Sequence, residues 1–218
     1  MAILKNSIVL QNATGSLGEF FIKNFRGKKI LAKKSFNRKI SRSAAAVNGR
    51  SNFAASVLIS KTINKQPVLK EIWKVANIEA SSPYQKMMAY NSKRTDNGTL
   101  TTSNGITPGG IPLTINSVSV QNYILDLSFN LPTENYITFP AQVFVFLYFK
   151  NSREPMFALN NKITEASPDA NYTMNFQLDD EMRKAFKKDV NPLIYVAAAG
   201  STLHKKKEYW SETAAFQL

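Results

Sequence analysis

Along the first forty residues the apolar positions come in short β-prone runs, "SIVL" and "EFFIKNF", separated by the turn-prone "NATGSLG". Gly27 falls between "NFR" and "KKILAKK", where a hairpin turn belongs, so "FFIKNF" and "KKILAK" are the predicted strands of a small hairpin. From Ser43 the period lengthens. In "SRSAAAVNGRSNFAASVLISKTIN" the residues Val47, Phe53, Ala54, Val57 and Leu58 recur at spacings that share a helical face, and Ser41 or Ser43 can cap it, with Gly49 weakening the start. Pro67 suits the first turn of a second helix, "PVLKEIWKVAN", whose Val68, Ile72, Trp73 and Val75 supply apolar contact. A third short helix follows Pro83 through "YQKMMAYN".

After Asn91 the chain becomes rich in Gly, Ser, Thr, Asn and Pro, "SKRTDNGTLTTSNGITPGGIP", which reads as a loop and a domain boundary. Beyond it the period is two. "SVSVQNYILDLSFNLP", "AQVFVFLYFK", "NYTMNFQL", "NPLIYVAAAG" and "YWSETAAFQL" are β-prone runs bounded by Pro, Asn and Gly, at the spacing of an antiparallel sandwich. One short helix interrupts them in "QLDDEMRKAFKKD", begun by Asp179 and Asp180 and closed by Lys187 and Lys188, as the helix dipole prefers. The expected class is α+β: a hairpin, basic arm and helices over 1–95, a linker over 96–110, and an immunoglobulin- or fibronectin-like β-sandwich over 111–218. Val143 to Phe149 are apolar on both faces, which predicts a strand covered on both sides, by the helices or by a neighbouring copy, rather than a base-stacking platform.

Charge sharpens this picture. Of the net +13 carried by 218 residues, residues 1–100 contribute 18 Lys and Arg against 4 Asp and Glu, and residues 101–218 contribute 10 against 11. Between Glu19 and Glu71 stand Lys23, Arg26, Lys28, Lys29, Lys33, Lys34, Arg38, Lys39, Arg42 and Arg50, with no carboxylate among them. Such a run raises encounter rates with polyanions and releases counterions on binding. Nucleic acid, an anionic membrane surface or an acidic protein face could each be the partner. The candidate binding residues are Lys28, Lys29, Lys33, Lys34, Arg38, Lys39, Arg42 and Arg50.

Catalytic chemistry finds little to rest on. Cysteine is absent, so thiolate nucleophiles, disulfides and cysteine metal sites are excluded. The single histidine, His204, sits beside Lys205, Lys206 and Lys207, whose ammonium groups oppose its protonation, in what reads as a hairpin turn. Asp179, Asp180 and Glu181 lack the spacing of a calcium loop and read as a helix start. "TGSLGE" and "TPGGIP" fail the phosphate-loop and dinucleotide patterns. No cofactor, metal or catalytic residue is expected. The start has no continuous apolar signal core, and no run approaches the about 18 residues of a membrane span, so a soluble product of the cytosol is expected.

The order "TGSLGEFFIKNFRGKKIL", "SRSAAAVNGRSNF", "VLKEIWKVAN", "SPYQKMMAYN" and "TTSNGITPGG" before a β domain resembles a group of uncharacterised proteins abundant in Bacteroidota and their phages. In that group a Gly-x-x-Gly turn and hairpin lead to a basic segment, a helix with an Arg-x-x-Phe pattern, an Asn-containing helix and a strand-rich C-terminal domain. Gly15 and Gly18, Gly27, Arg50 with Phe53, and Asn91 occupy those places over almost the whole chain, although Phe25, Arg26 and Gly27 replace the group's aromatic-Lys-Gly turn. The resemblance implies a component of a particle or surface assembly and supplies no catalytic residue. The expected function is therefore that of a non-enzymatic virion protein of head, collar or tail, made in the bacterial host cytoplasm and oligomeric with other subunits. Its basic arm would meet acidic neighbours or nucleic acid. The alternative is a stand-alone, sequence-nonspecific nucleic-acid-binding protein, in which Arg38, Arg42 and Arg50 grip phosphates.

Overall fold

Two compact units divide the chain at Arg42 and Ser43. The computed structural model describes residues 2–3, 15–25, 28–34, 40–131, 139–152, 154–167, 169–189, 191–200 and 210–218. In the first unit β1 (Ala2–Ile3), β2 (Gly15–Leu17), β3 (Phe20–Phe25) and β4 (Lys28–Lys33) form one antiparallel sheet in the order β1-β4-β3-β2. The expected hairpin strands are β3 and β4, paired from Phe20 opposite Lys33 to Phe25 opposite Lys28. Part of the stretch read as a turn, Gly15 to Leu17, is instead the edge strand β2, with Gly15 opposite Ile22. "SIVL" lies outside the described residues.

The second unit opens with α1 (Ala44–Asn64), α2 (Pro67–Val75) and α3 (Pro83–Ser92). Local chemistry starts each of them. The Ser43 hydroxyl accepts from the Ala46 amide at 3.3 Å and the Ser82 hydroxyl from the Gln85 amide at 3.2 Å, while Pro67 and Pro83 occupy first-turn positions that lack a useful N–H anyway. Then come β5 (Thr114–Gln121), β6 (Ile124–Asn130), β7 (Ala141–Tyr148), β8 (Met156–Ile163), β9 (Asn171–Gln177), α4 (Asp180–Lys188), β10 (Leu193–Gly200) and β11 (Ala214–Gln217). They make two more antiparallel sheets, β11-β10-β7-β8 and β5-β6-β9. The first predicted run is thus two strands, split where Asn122 and Tyr123 take positive φ between Gln121 and its partner Ile124. Strand β8 went unpredicted because its outer half, Asn160 to Lys162, is polar and exposed.

Alternation along β7 and β10 builds two cores. Val143, Val145 and Leu147 with Ile194, Val196 and Ala198 face the three-stranded sheet, meeting Leu125, Leu127 and Phe129 of β6 and Met174 and Phe176 of β9. Phe144, Phe146 and Tyr148 with Tyr195, Ala197 and Ala199 face the helices, meeting Ile59 and Ile63 of α1, Leu69, Ile72 and Trp73 of α2 and Met87 of α3. The strand apolar on both faces is therefore covered by sheet on one side and helices on the other. Each such side chain, fully removed from water, contributes about 1.5–3 kcal/mol.

Two expectations are corrected. The stretch 96–110, expected as a linker between domains, lies within the second unit, with Leu100, Asn104, Ile106 and Thr107 buried. Trp73 Nε1 donates to the Ile106 carbonyl at 2.8 Å and Trp210 Nε1 to the Gly109 carbonyl at 2.6 Å. Turn-rich composition marked the bends, and small polar side chains satisfied the backbone well enough for them to be buried. The face expected to pack α1 is likewise turned over. Ala55, Ser56, Ile59, Ser60 and Ile63 are buried, whereas Val47 and Phe53 are exposed. On α2, Leu69 is buried and Val75 is exposed.

Candidate functional site

Strand β4 carries Lys28, Lys29 and Lys33 of the basic run, and β3 carries Lys23, so these residues are held in a ladder. Opposed residues share a sheet face and successive ones alternate. Lys29, opposite Asn24, and Lys33, opposite Phe20, therefore stand on the face that includes Ile22 and Leu31. Lys23, opposite Ile30, stands on the other face with Phe21 and Ala32, and its ammonium lies 5.7 Å from the Phe21 ring centroid. Lys34 follows on that second face: its backbone N–H donates to the Glu19 carbonyl at 2.6 Å and its ammonium to the Ser16 hydroxyl. A single continuous basic surface does not result, because the pleat deals the lysines to both sides.

Lys33 Nζ sits 3.3 Å from the Glu19 carboxylate with both side chains about two-thirds exposed (67% and 65%), a geometry worth at most about 1 kcal/mol. Lys28 stands opposite Phe25 at the inner end of the hairpin. Arg38 and Lys39 lie outside the described residues, as does His204 with its neighbouring lysines. Arg42 is exposed just before the Ser43 cap, and Arg50 is exposed on α1. The structure thus places Lys28, Lys29 and Lys33 on one strand with Lys34 directly after it, and Arg50 on a different element.

Charge segregates with the compact units more sharply than with halves of the chain. Residues 1–42 hold ten Lys and Arg against Glu19 alone, or +9, leaving 18 against 14, or +4, for residues 43–218. A 42-residue unit with this charge density concentrates positive potential whatever it meets.

The acidic triplet has local work to do. Asp179 caps α4 by accepting from the Met182 amide at 2.8 Å, Asp180 lies 3.6 Å from Arg183, and Glu181 accepts from Lys184 at 2.8 Å. That contact raises the Lys184 pKa, first through the hydrogen bond and then through the Glu181 charge. A cation-bearing cleft that the sequence did not flag opens after α3, about 800 Å³ in volume, lined by Lys93, Arg94, Thr95, Asp96, Thr101 and Ser103. Arg94 is committed there: its guanidinium lies 3.6 Å over the Tyr90 ring and donates to the Tyr90 carbonyl at 2.9 Å. No helix among the described residues is long and apolar enough to cross a membrane. No family model matches the chain, and no curated protein is similar to it in sequence.

Proposed function

We propose that this protein is a non-enzymatic structural subunit of a large assembly, a phage virion component of head, collar or tail, whose N-terminal sheet contacts acidic neighbours or nucleic acid. One observation carries the reading: +9 of the net +13 is confined to a separate 42-residue unit in which Lys23, Lys28, Lys29 and Lys33 are mounted on a hairpin. Mounting charge on an ordered strand fixes the positions of the ammonium groups, which favours repeated contacts with a neighbour of fixed shape. The resemblance of its motif order to proteins of Bacteroidota and their phages points the same way. The second unit supplies the body of the subunit. Its two antiparallel sheets pack alternating residues into a shared core, which supports an immunoglobulin-like sandwich with helices laid on its outer face.

The test is the mass of nuclease-treated protein by light scattering at about 0.1 M and about 1 M salt, where screening shortens charge interactions from about 10 Å to about 3 Å. A defined oligomer that persists without nucleic acid is the expected result. A monomer that forms heavy, salt-sensitive complexes only when nucleic acid is added would replace the assembly reading with that of a stand-alone nucleic-acid-binding protein.

A further inference from the structure

Helix α1 has two apolar sides, and only one of them is buried. Ile59 and Ile63 fill the core between helices and sheet. On the opposite side Val47, Arg50, Phe53, Ala54, Val57 and Lys61 fall within about a third of the circumference at 3.6 residues per turn. Val47 is 47% exposed and Phe53 57%, the latter the most exposed aromatic side chain among the described residues. A helix that keeps an apolar stripe in water lacks the segregation expected of a surface helix with a single partner.

The ridge is also rigid. Asn52 Oδ1 accepts from the Gly98 amide at 2.7 Å, and Gly98, at φ +75°, packs so closely that a Cβ there would lie 2.7 Å from the Ser51 Cβ. The loop after α3 thus clamps the middle of the helix from its inner side and leaves the outer stripe preorganised.

Its charge has one sign. The 21 residues of α1 include Arg50 and Lys61 and no Asp or Glu, Arg42 precedes the cap, and the positive end of the helix dipole lies on the same half. Pairing two such ridges from two copies would bring like charges together, each on a chain of +13. Nucleic acid would satisfy the cations and gain little from Val47, Ala54 and Val57.

We propose that the outer stripe of α1, centred on Phe53, is a docking ridge for an amphipathic protein surface of a different subunit, apolar in the middle and rimmed with carboxylates. The proposal goes beyond the assembly reading, since it names a protein partner and assigns it to the second unit. Recognition follows the helix-in-groove mode: Val47, Phe53 and Val57 enter an apolar trough while Arg50 and Lys61 meet Asp or Glu on its rim.

The experiment uses the full, nuclease-treated chain and fluorescence anisotropy with three probes. They are a synthetic amphipathic helix with Leu at i, i+3, i+4 and i+7 flanked by Glu, the same peptide flanked by Lys, and a single-stranded oligothymidine. The Glu-flanked peptide is expected to bind at least about tenfold more tightly than the Lys-flanked one, and Phe53→Ser is expected to weaken it by about tenfold. Arg50→Gln should weaken it less, while Lys29→Gln with Lys33→Gln, in the other unit, should leave it within about threefold. Circular dichroism of each variant checks that the fold is intact. No binding of the Glu-flanked peptide, binding indifferent to Phe53→Ser, Phe53-dependent binding confined to the oligonucleotide, or a Phe53-dependent dimer of the chain would each overturn the proposal. The first three of those results leave the oligomer measured for the assembly reading untouched, so the two can fail independently.

Discussion

Asn91 holds Asn104 inside the second unit: the Asn104 Nδ2 donates to the Asn91 Oδ1 at 3.1 Å and to the Asn91 backbone carbonyl at 3.0 Å. The same Asn91 Oδ1 accepts from the Gly105 amide at 2.9 Å, and Asn91 Nδ2 donates to the carbonyls of Met87 and Gly105, each at 3.1 Å. One side chain therefore stitches the end of α3 to a buried loop whose backbone groups have no water to turn to.

Replacing it leaves those partners unpaired. Each buried group that loses its hydrogen bond costs about 1–3 kcal/mol, so Asn91→Ala is expected to lose about 3 kcal/mol or more in urea unfolding. Asn91→Asp should do no better, because the carboxylate cannot donate to Met87 or Gly105. A loss under about 1 kcal/mol would mean the loop closes without this link.

Ser60 makes the opposite prediction. Its hydroxyl is fully buried in the core under α1 and has no hydrogen-bond partner among the described residues. Ser60→Ala removes an unpaired polar atom and adds helix propensity, and is expected to stabilise by about 1 kcal/mol. Read as a rise in the urea midpoint at unchanged slope, that gain would set it apart from ordinary core substitutions, most of which destabilise.

Tyr195 ties stability to alkaline pH. Its hydroxyl donates to the Thr101 carbonyl at 2.9 Å, and its pKa is pushed far above the usual 10, chiefly by burial and secondarily by the neighbouring Tyr148, whose own pKa burial also raises. Above pH 10 the unfolded chain releases these protons and the folded one keeps them, so the unfolded state binds fewer. Stability is whole below pH 10 and falls above it, by about 1.4 kcal/mol per pH unit for each such tyrosine. Tyr195→Phe should start about 1 kcal/mol lower at pH 8, for the lost hydrogen bond, and fall less steeply to pH 11. An unchanged steepness would assign the alkaline loss to other groups.

How far all this was legible depended on whether the signal was local. Caps and turns were: Ser43, Pro67, Pro83 and Asp179 start their helices where short-range chemistry placed them, and the β3–β4 hairpin keeps its expected strands. Coverage of β7 on both faces also followed from Val143 to Phe149 alone. Choices between two workable partners were not legible. On α1, Val47 with Phe53 and Ile59 with Ile63 both form stripes, and only the sheet beneath decides which is buried. The 96–110 stretch misled for a similar reason, since Trp73 and Thr213 lie far from it in sequence yet supply hydrogen bonds to it. For the basic run, composition revealed the charge and concealed its division between two faces.

That division yields the last prediction. A polyanion lying on the N-terminal sheet can engage one face at a time. Lys29 and Lys33 stand on one side, where Glu19 lies 3.3 Å from Lys33, and Lys23 and Lys34 stand on the other. Binding of duplex DNA, measured by anisotropy from about 0.05 M to 0.3 M salt, should show a log–log slope that shrinks by about 0.9 for every phosphate contact removed. The pairs Lys23→Gln with Lys34→Gln and Lys29→Gln with Lys33→Gln lie on opposite faces, so one pair is expected to reduce the slope by nearly two and the other by less than one. Equal reductions from both pairs would mean that the sheet acts as a diffuse cloud of charge with no preferred face. Unequal reductions would make the face of the costlier pair the contact surface, and the acidic or phosphate-bearing partner would be sought there.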